Sequence, residues 1–282
     1  MEVFLDSDIE QILQIEEPVR ASSMPFWSAE AYGFGKHIRN YGYYPMNLPL
    51  HIFTDHSGPA LRNKFTTYEI NNTADVVMFH APHFVAKWRE EHKTKCYPLF
   101  SPFVFYRRSH NIQKLKNAKG TIVYPIHTMP ELEDDLNFEL YIQKLKSLPK
   151  QYQPVSVSLH YHDLNKGRHK MFLEAGLRVF TAGNPYDYKF TERFYSILQR
   201  FKYASSNCIG TALLYAVEMG VPFFLLGDRP VFARNKDSEL AHEALRFANL
   251  KDDVLQTFTE AFKDISSEIN PQQKSMVEAT LG

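Results

Sequence analysis

The chain has 282 residues, 44% hydrophobic and 23% charged, a globular composition long enough for two domains with a sizeable core. Its 32 Lys and Arg balance 32 Asp and Glu, so no overall field draws it to nucleic acid, and any anion site must be local. Two cysteines, Cys96 and Cys208, exclude a disulfide framework or a cysteine metal quartet and suit a reducing cytoplasm.

The first twenty residues, MEVFLDSDIEQILQIEEPVR, are acidic and lack the apolar core of a signal peptide. No run approaches the ~20 apolar residues of a spanning helix, and a cytoplasmic location is expected. Residues 1–50 read as irregular and aromatic, with a helix around 29–41. LPLHIFTDH (48–56) reads as a buried strand, ADVVMFH (74–80) as another, and FVAKWREEHK (84–93) as a helix. KCYPLFSPFVF (95–105) reads as a third extended segment broken by Pro98 and Pro102, and the basic passage 106–120 as a linker.

The second half is more regular. It alternates strand TIVYPIH (121–127), helix 131–148, strand PVSVSLHYHD (154–163), helix 166–176 and strand LRVFTAG (177–183). Helix 188–201, the short strand KYAS, helix CIGTALLYAVEM (208–219) and strand VPFFLLGD (221–228) follow, with a polar helical tail from Asp237. Such alternation implies βαβ units and parallel sheets. The expected fold is α/β, two Rossmann-like halves divided into residues 1–112 and 113–282, the first small and irregular.

Ligands of open parallel sheets bind at the carboxyl ends of strands, so the polar strand ends are the candidate sites. Ser205-Ser206-Asn207 leads into a helix whose first N–H groups and dipole attract an anion, with Gly210 allowing close approach and Thr211 offering a hydroxyl. The plain alternative is that Ser206 or Asn207 caps that helix and Gly210 relieves packing against the sheet. Glu218, in the last turn, is either a solvated acid or an acceptor for sugar hydroxyls.

His127 after its strand can donate to phosphate or be a satisfied loop histidine. His160 and His162, expected on one face of a strand, suggest a metal but lack further ligands, and the acids 131–135 suit a helix start. Asp55 and His56 at a strand end can supply a general base, or Asp55 can pair with a core group. Arg107 and Arg108 can face a phosphate between the halves or remain solvated.

The runs TIVYPIHTMPE, SVSLHYHD, RVFTAGN and KYASSNCIGTALLYAVEMGVPFFLLGD resemble the donor-binding half of GT-B-type glycosyltransferases of bacterial surface-polysaccharide clusters. Members that use CMP-activated sugars carry a Ser-Ser/Thr motif, similar to Ser205-Ser206, and a His-Pro motif, which His127-Thr128 departs from. Glu218, Gly220 and Pro222 are similar to a Glu-x-Gly-x-Pro pattern whose acid contacts donor hydroxyls. The resemblance covers the second half and is weak over residues 1–105.

It implies transfer of a sugar from a nucleotide-activated donor to a glycan or lipid-linked hydroxyl, with Asp55 or His56 as base. His127, Ser205, Ser206, Asn207, Gly210, Thr211 and Glu218 would hold the donor. No metal or other cofactor and no nucleic acid partner is expected, and peripheral membrane contact is compatible with it. Alternatives on the same fold are a nucleotide-sugar epimerase, a polyol-phosphate transferase, or a non-catalytic nucleotide-sugar or glycan-binding protein.

Overall fold

The computed structural model describes residues 13–20, 26–55, 60–127, 130–249 and 251–282. In its first half, helix α1 (Phe34–Gly42) precedes strand β1 (Phe53–Thr54). Then come α2 (Thr67–Ile70), β2 (Val76–Phe79), α3 (Pro82–Glu91) and β3 (Lys95–Pro98). The strands form a parallel sheet in the order β1-β2-β3. A Thr66–Glu69 capping box opens α2, and Pro82 opens α3 where a missing N–H costs nothing. Phe53, Val77, Phe79, Phe84 and Trp88 form the core of this half.

Two expectations change here. Of the described residues 48–55 of the expected strand 48–56 only Phe53–Thr54 pairs, because Pro49 precedes it and the Leu48 carbonyl is taken by Arg39. The extended segment 95–105 stops at Pro98, and α4 (Pro102–Ser109) follows, with Pro102 at its first helical position.

The second half contains β4 (Thr121–Val123), β5 (Leu132–Asp134), α5 (Phe138–Lys146), β6 (Val155–Ser158), α6 (Tyr161–Asn165), α7 (His169–Glu174) and β7 (Arg178–Phe180). It continues through α8 (Phe190–Leu198), β8 (Tyr203–Ser206), α9 (Thr211–Glu218), β9 (Phe223–Leu225) and β10 (Phe232–Arg234). Five of these strands form a parallel sheet in the order β7-β6-β4-β8-β9. Alternation sends Ile122, Ala204 and Phe223 into one core with α9, and Val123, Tyr203 and Phe224 into another with α5. The fold is therefore α/β, two Rossmann-like halves with parallel sheets, the first smaller.

The acids 131–135 do not open a helix. Leu132–Asp134 pairs antiparallel with β10, and Asn137 instead caps α5 through Leu140 N–H. His160 and His162 are not on a strand either, since β6 ends at Ser158 and His160 caps α6. The tail forms α10 (Glu239–Ala248), α11 (Asp253–Phe262) and α12 (Pro271–Leu281). It is less polar in effect than its sequence reads, because Phe258, Phe262, Val277 and Leu281 join the α9 core. Helix α12 packs on both α9 and α3, tying the halves together. No described helix is long and apolar enough to cross a membrane.

Candidate functional site

Strand β4, first of its sheet in sequence, lies at the centre. The chain winds outward through β6 and β7, then returns to the other side of β4 for β8 and β9. Such a reversal leaves a crevice outside the carboxyl ends of the two strands flanking it, because their following helices depart to opposite faces. Those strands are β4 and β8, paired at Val123 and Ser205. His127 thus lies on the same edge as the loop that opens α9.

Asn207 joins the loops at this edge. It is buried, its Oδ1 accepts from Ile126 N–H at 2.8 Å, and its Nδ2 donates to the Asp228 carbonyl at 3.3 Å. Ser206 Oγ accepts from Cys208 N–H at 3.1 Å, a local turn. Neither residue caps α9. The N-cap is Gly210, with no side-chain cap bond. Gly210 is exposed and extended, and a Cβ built there would meet nothing within 4 Å. Hence Gly210 does not relieve packing, and the first turn of α9, with Thr211 at its start, opens onto free space.

Ser205 is placed differently. Alternation along β8 turns it to the Tyr203 face, away from α9, and its buried Oγ has no hydrogen-bond partner. The Ser-Ser pair is therefore split across the sheet, and only Ser206 faces the α9 side.

His127 is exposed and its ring stacks on His160, centroids 3.8 Å apart and planes within 11°. His162 lies 5.0 Å from His160, and burial, then Lys166, pushes its pKa down. Tyr32 approaches His160 at 6.4 Å from the segment before α1, holding a left-handed backbone at φ 58°. Among the described residues no group of three or more His, Cys, Asp or Glu is arranged to hold a metal ion. The His-x-His spacing singled out two residues of this cluster, but the stacking partner is His127, a sequence-distant residue. No signal in the sequence marked Tyr32.

Glu218 is not brought to this group. It ends α9, about 12 Å from Gly210 by helix rise. Arg107 grips it with Nε and Nη2, both at 2.5 Å, and Arg108 Nε adds a contact at 3.0 Å. Both arginines are thus structural partners of a buried acid rather than free cations facing a phosphate.

Asp55 follows β1 with 2% exposure, and its Oδ1 accepts from His80 N–H at 3.1 Å. Burial, with Glu69 nearby, raises its pKa well above the carboxylate range, and burial pushes His80 down to about 4. His80 Nδ1 faces the Leu99 carbonyl at 3.1 Å and must donate to it. Its Nε2 therefore presents a lone pair 3.6 Å from Asp55. This is a buried pair in which burial favours the neutral form of each group, and it matches the core-group alternative read from the sequence. Phe34, Phe103 and Tyr215 form a chain of ring contacts beside His80 in the seam between the halves. His56 lies outside the described residues.

Two cavities lie outside this aromatic stack, the first of them between the halves. One of about 310 Å³ sits between Thr67, Asn71 and Glu239. Another of about 190 Å³ sits between Asn137, Lys144 and Asp228.

No protein-family model matches the chain, and no curated protein matches it. Among solved structures it is similar to an S. aureus MnaA–UDP co-structure, with 13% identity and a TM-score of 0.40 over 97% of this chain and 68% of that one. A likeness of that size carries no inference about activity.

Proposed function

We propose that the second half binds a nucleotide-activated sugar, with the phosphates at the first turn of α9 and the sugar or base beside the His127–His160 stack. One observation carries the reading: the uncapped, open start of α9 lies at the strand-order reversal between β4 and β8. Ser206, Gly210, Thr211 and His127 are the contacting residues. Asn207 positions the His127 loop through Ile126 N–H.

The finer reading is a metal-independent glycosyltransferase acting on a glycan or lipid-linked hydroxyl. The acceptor oxygen would bond to the anomeric carbon, its proton passing to water or to the released phosphate, as the bond to the phosphate oxygen breaks, and the helix dipole would stabilise the departing negative charge. The burial of Asp55 favours a second reading, binding of the nucleotide-sugar without transfer, because a carboxyl with 2% exposure does not reach an acceptor.

Thermal melting with CMP, UDP, GDP and dTDP sugars, with and without EDTA, tests the binding. A ligand at 100 times its dissociation constant stabilises by about 2.7 kcal/mol. No shift with any of them defeats the proposal, and a shift abolished by EDTA defeats its metal independence. Incubating the binding donor with acceptor glycans then separates transfer from binding, hydrolysis and epimerisation.

A further inference from the structure

Charge is unevenly distributed along this neutral chain. Between Glu91 and Glu131 no acidic residue occurs, while Lys114, Lys116 and Lys119 fall close together. The fold adds to them. Leu115 N–H donates to the Gln199 carbonyl at 2.8 Å, Lys119 N–H to Arg200 at 3.2 Å, and Lys202 N–H to Gly120 at 3.1 Å. These bonds pin the segment leading into β4 against the one leading into β8, so Arg200 and Lys202 join the three lysines. Lys116, Lys119, Arg200 and Lys202 are exposed.

The cations are assembled at a cost. Lys114 donates to the Gly220 carbonyl at 3.0 Å, and its pKa is pushed down by burial and by Lys202. A patch that holds like charges together gains when an anionic surface covers it. Leu115 stands between Lys114 and Lys116 with 42% exposure. An apolar side chain flanked by cations suits the boundary between headgroups and acyl chains. A nucleic-acid backbone would gain nothing from it.

We propose that this surface, at the amino ends of β4 and β8, docks on a bilayer carrying anionic lipid, with the basic side chains over headgroup phosphates and Leu115 entering the interface. It lies on the sheet edge opposite the α9 loop. Docking there anchors the molecule and leaves the crevice facing away from the membrane.

The test is co-sedimentation of the full chain with vesicles of phosphatidylcholine alone, or mixed in equal parts with phosphatidylglycerol. The chain is expected to pellet with the mixed vesicles at low ionic strength, to be released by molar salt, and to ignore the neutral ones. Each cation near an anionic surface contributes about fivefold in partition. Loss of the cations alone should therefore weaken K114E/K116E/K119E by on the order of 100-fold and the exposed pair K116E/K119E by about 25-fold, with the added carboxylates weakening both further. L115S should lose about tenfold through its apolar area. K236E/K251E, with an equal charge change elsewhere, should bind as the unaltered chain does.

Melting curves identify any variant that fails to fold, and the exposed pair carries the test if Lys114 proves structural. Absence of pelleting by the unaltered chain, or equal loss in K236E/K251E, overturns the proposal. So does tighter binding to duplex DNA than to vesicles with L115S inert. Nucleotide-sugar melting shifts on the same variants keep this outcome separate from that of the crevice.

Discussion

Both halves place polar residues at the carboxyl ends of parallel strands, yet Asp55 and His80 are buried in the first while His127 and Gly210 are exposed in the second. In the first, β1-β2-β3 runs in one direction, and His80, just past β2, bonds to both Asp55 and Leu99, so that Asp55 and His80 end up buried together. In the second, the order reverses beside β4, and the helices that follow β4 and β8 pack on opposite faces while the start of α9 stays open. Polar strand ends alone therefore do not make a site. On the proposed reading the reversal of strand order does, because it prevents neighbouring crossovers from covering the edge.

The largest effect that sharpens this contrast is expected away from the crevice. Arg39 forms a bidentate pair with Glu30, both side chains almost fully buried, and also holds the Leu48 carbonyl. Arg39→Ala leaves a buried acid unpaired and should cost about 3–5 kcal/mol, read from urea midpoints. Nucleotide-sugar affinity, measured well below the unfolding transition, should stay unchanged. A parallel loss of affinity would mean that the halves do not act separately.

At the crevice the pattern inverts. Ser206→Ala should weaken nucleotide-sugar binding by roughly 1.5–3 kcal/mol through the lost donor to a charged group. Gly210→Val should also weaken binding with little change in melting, since the added side chain meets only open space at an ordinary extended φ of −156°. Titration calorimetry beside thermal melting tests both. Unchanged affinity with lowered melting would make the loop structural, and the contrast between the halves would fail. Asn207→Ala should act on both quantities, costing about 1–3 kcal/mol of stability because Ile126 N–H loses its acceptor. Its affinity loss should exceed any caused by His80→Gln.

The smallest effect is a pH slope belonging to the first half and its seam. Burial pushes His37 down to about 3 and His80 down to about 4. Because these folded pKa values lie below the ordinary histidine value, their stabilisation is complete above about pH 6.5 and declines as pH falls toward 4. Asp55 has the opposite sign. Its raised pKa makes the folded chain bind a proton before the unfolded one does, which offsets part of that decline. Urea midpoints between pH 6.5 and 4.5 should fall on acidification, and His37→Gln and His80→Gln should each flatten the slope by up to about 1.4 kcal/mol per pH unit. An unaltered slope in both would show that these imidazoles are hydrated.

Much of the second half was legible because its apolar runs have the length and spacing of buried strands and crossover helices, and local signals of that kind survive tertiary packing. The first half was less so. Pro98 and Pro102 read as breaks in one strand, whereas Pro102 starts α4, a choice between two uses of the same residue that packing on α1 and α8 decides. The acids 131–135 suited a helix start, yet pairing with Phe232–Arg234, distant in sequence, made part of them a strand.

The sequence by itself determined the α/β class, the parallel crossovers and the loops in which His127 and Gly210 lie, because periodicity and turn residues act over a few positions. The tertiary structure alone decided the strand order that puts those loops on either side of a crevice. It also decided the opposite faces taken by Ser205 and Ser206, the arginine grip on Glu218 and the burial of Asp55 against His80. Each of these depends on contacts between segments far apart in the chain, and no local pattern encodes which distant partner a side chain will meet.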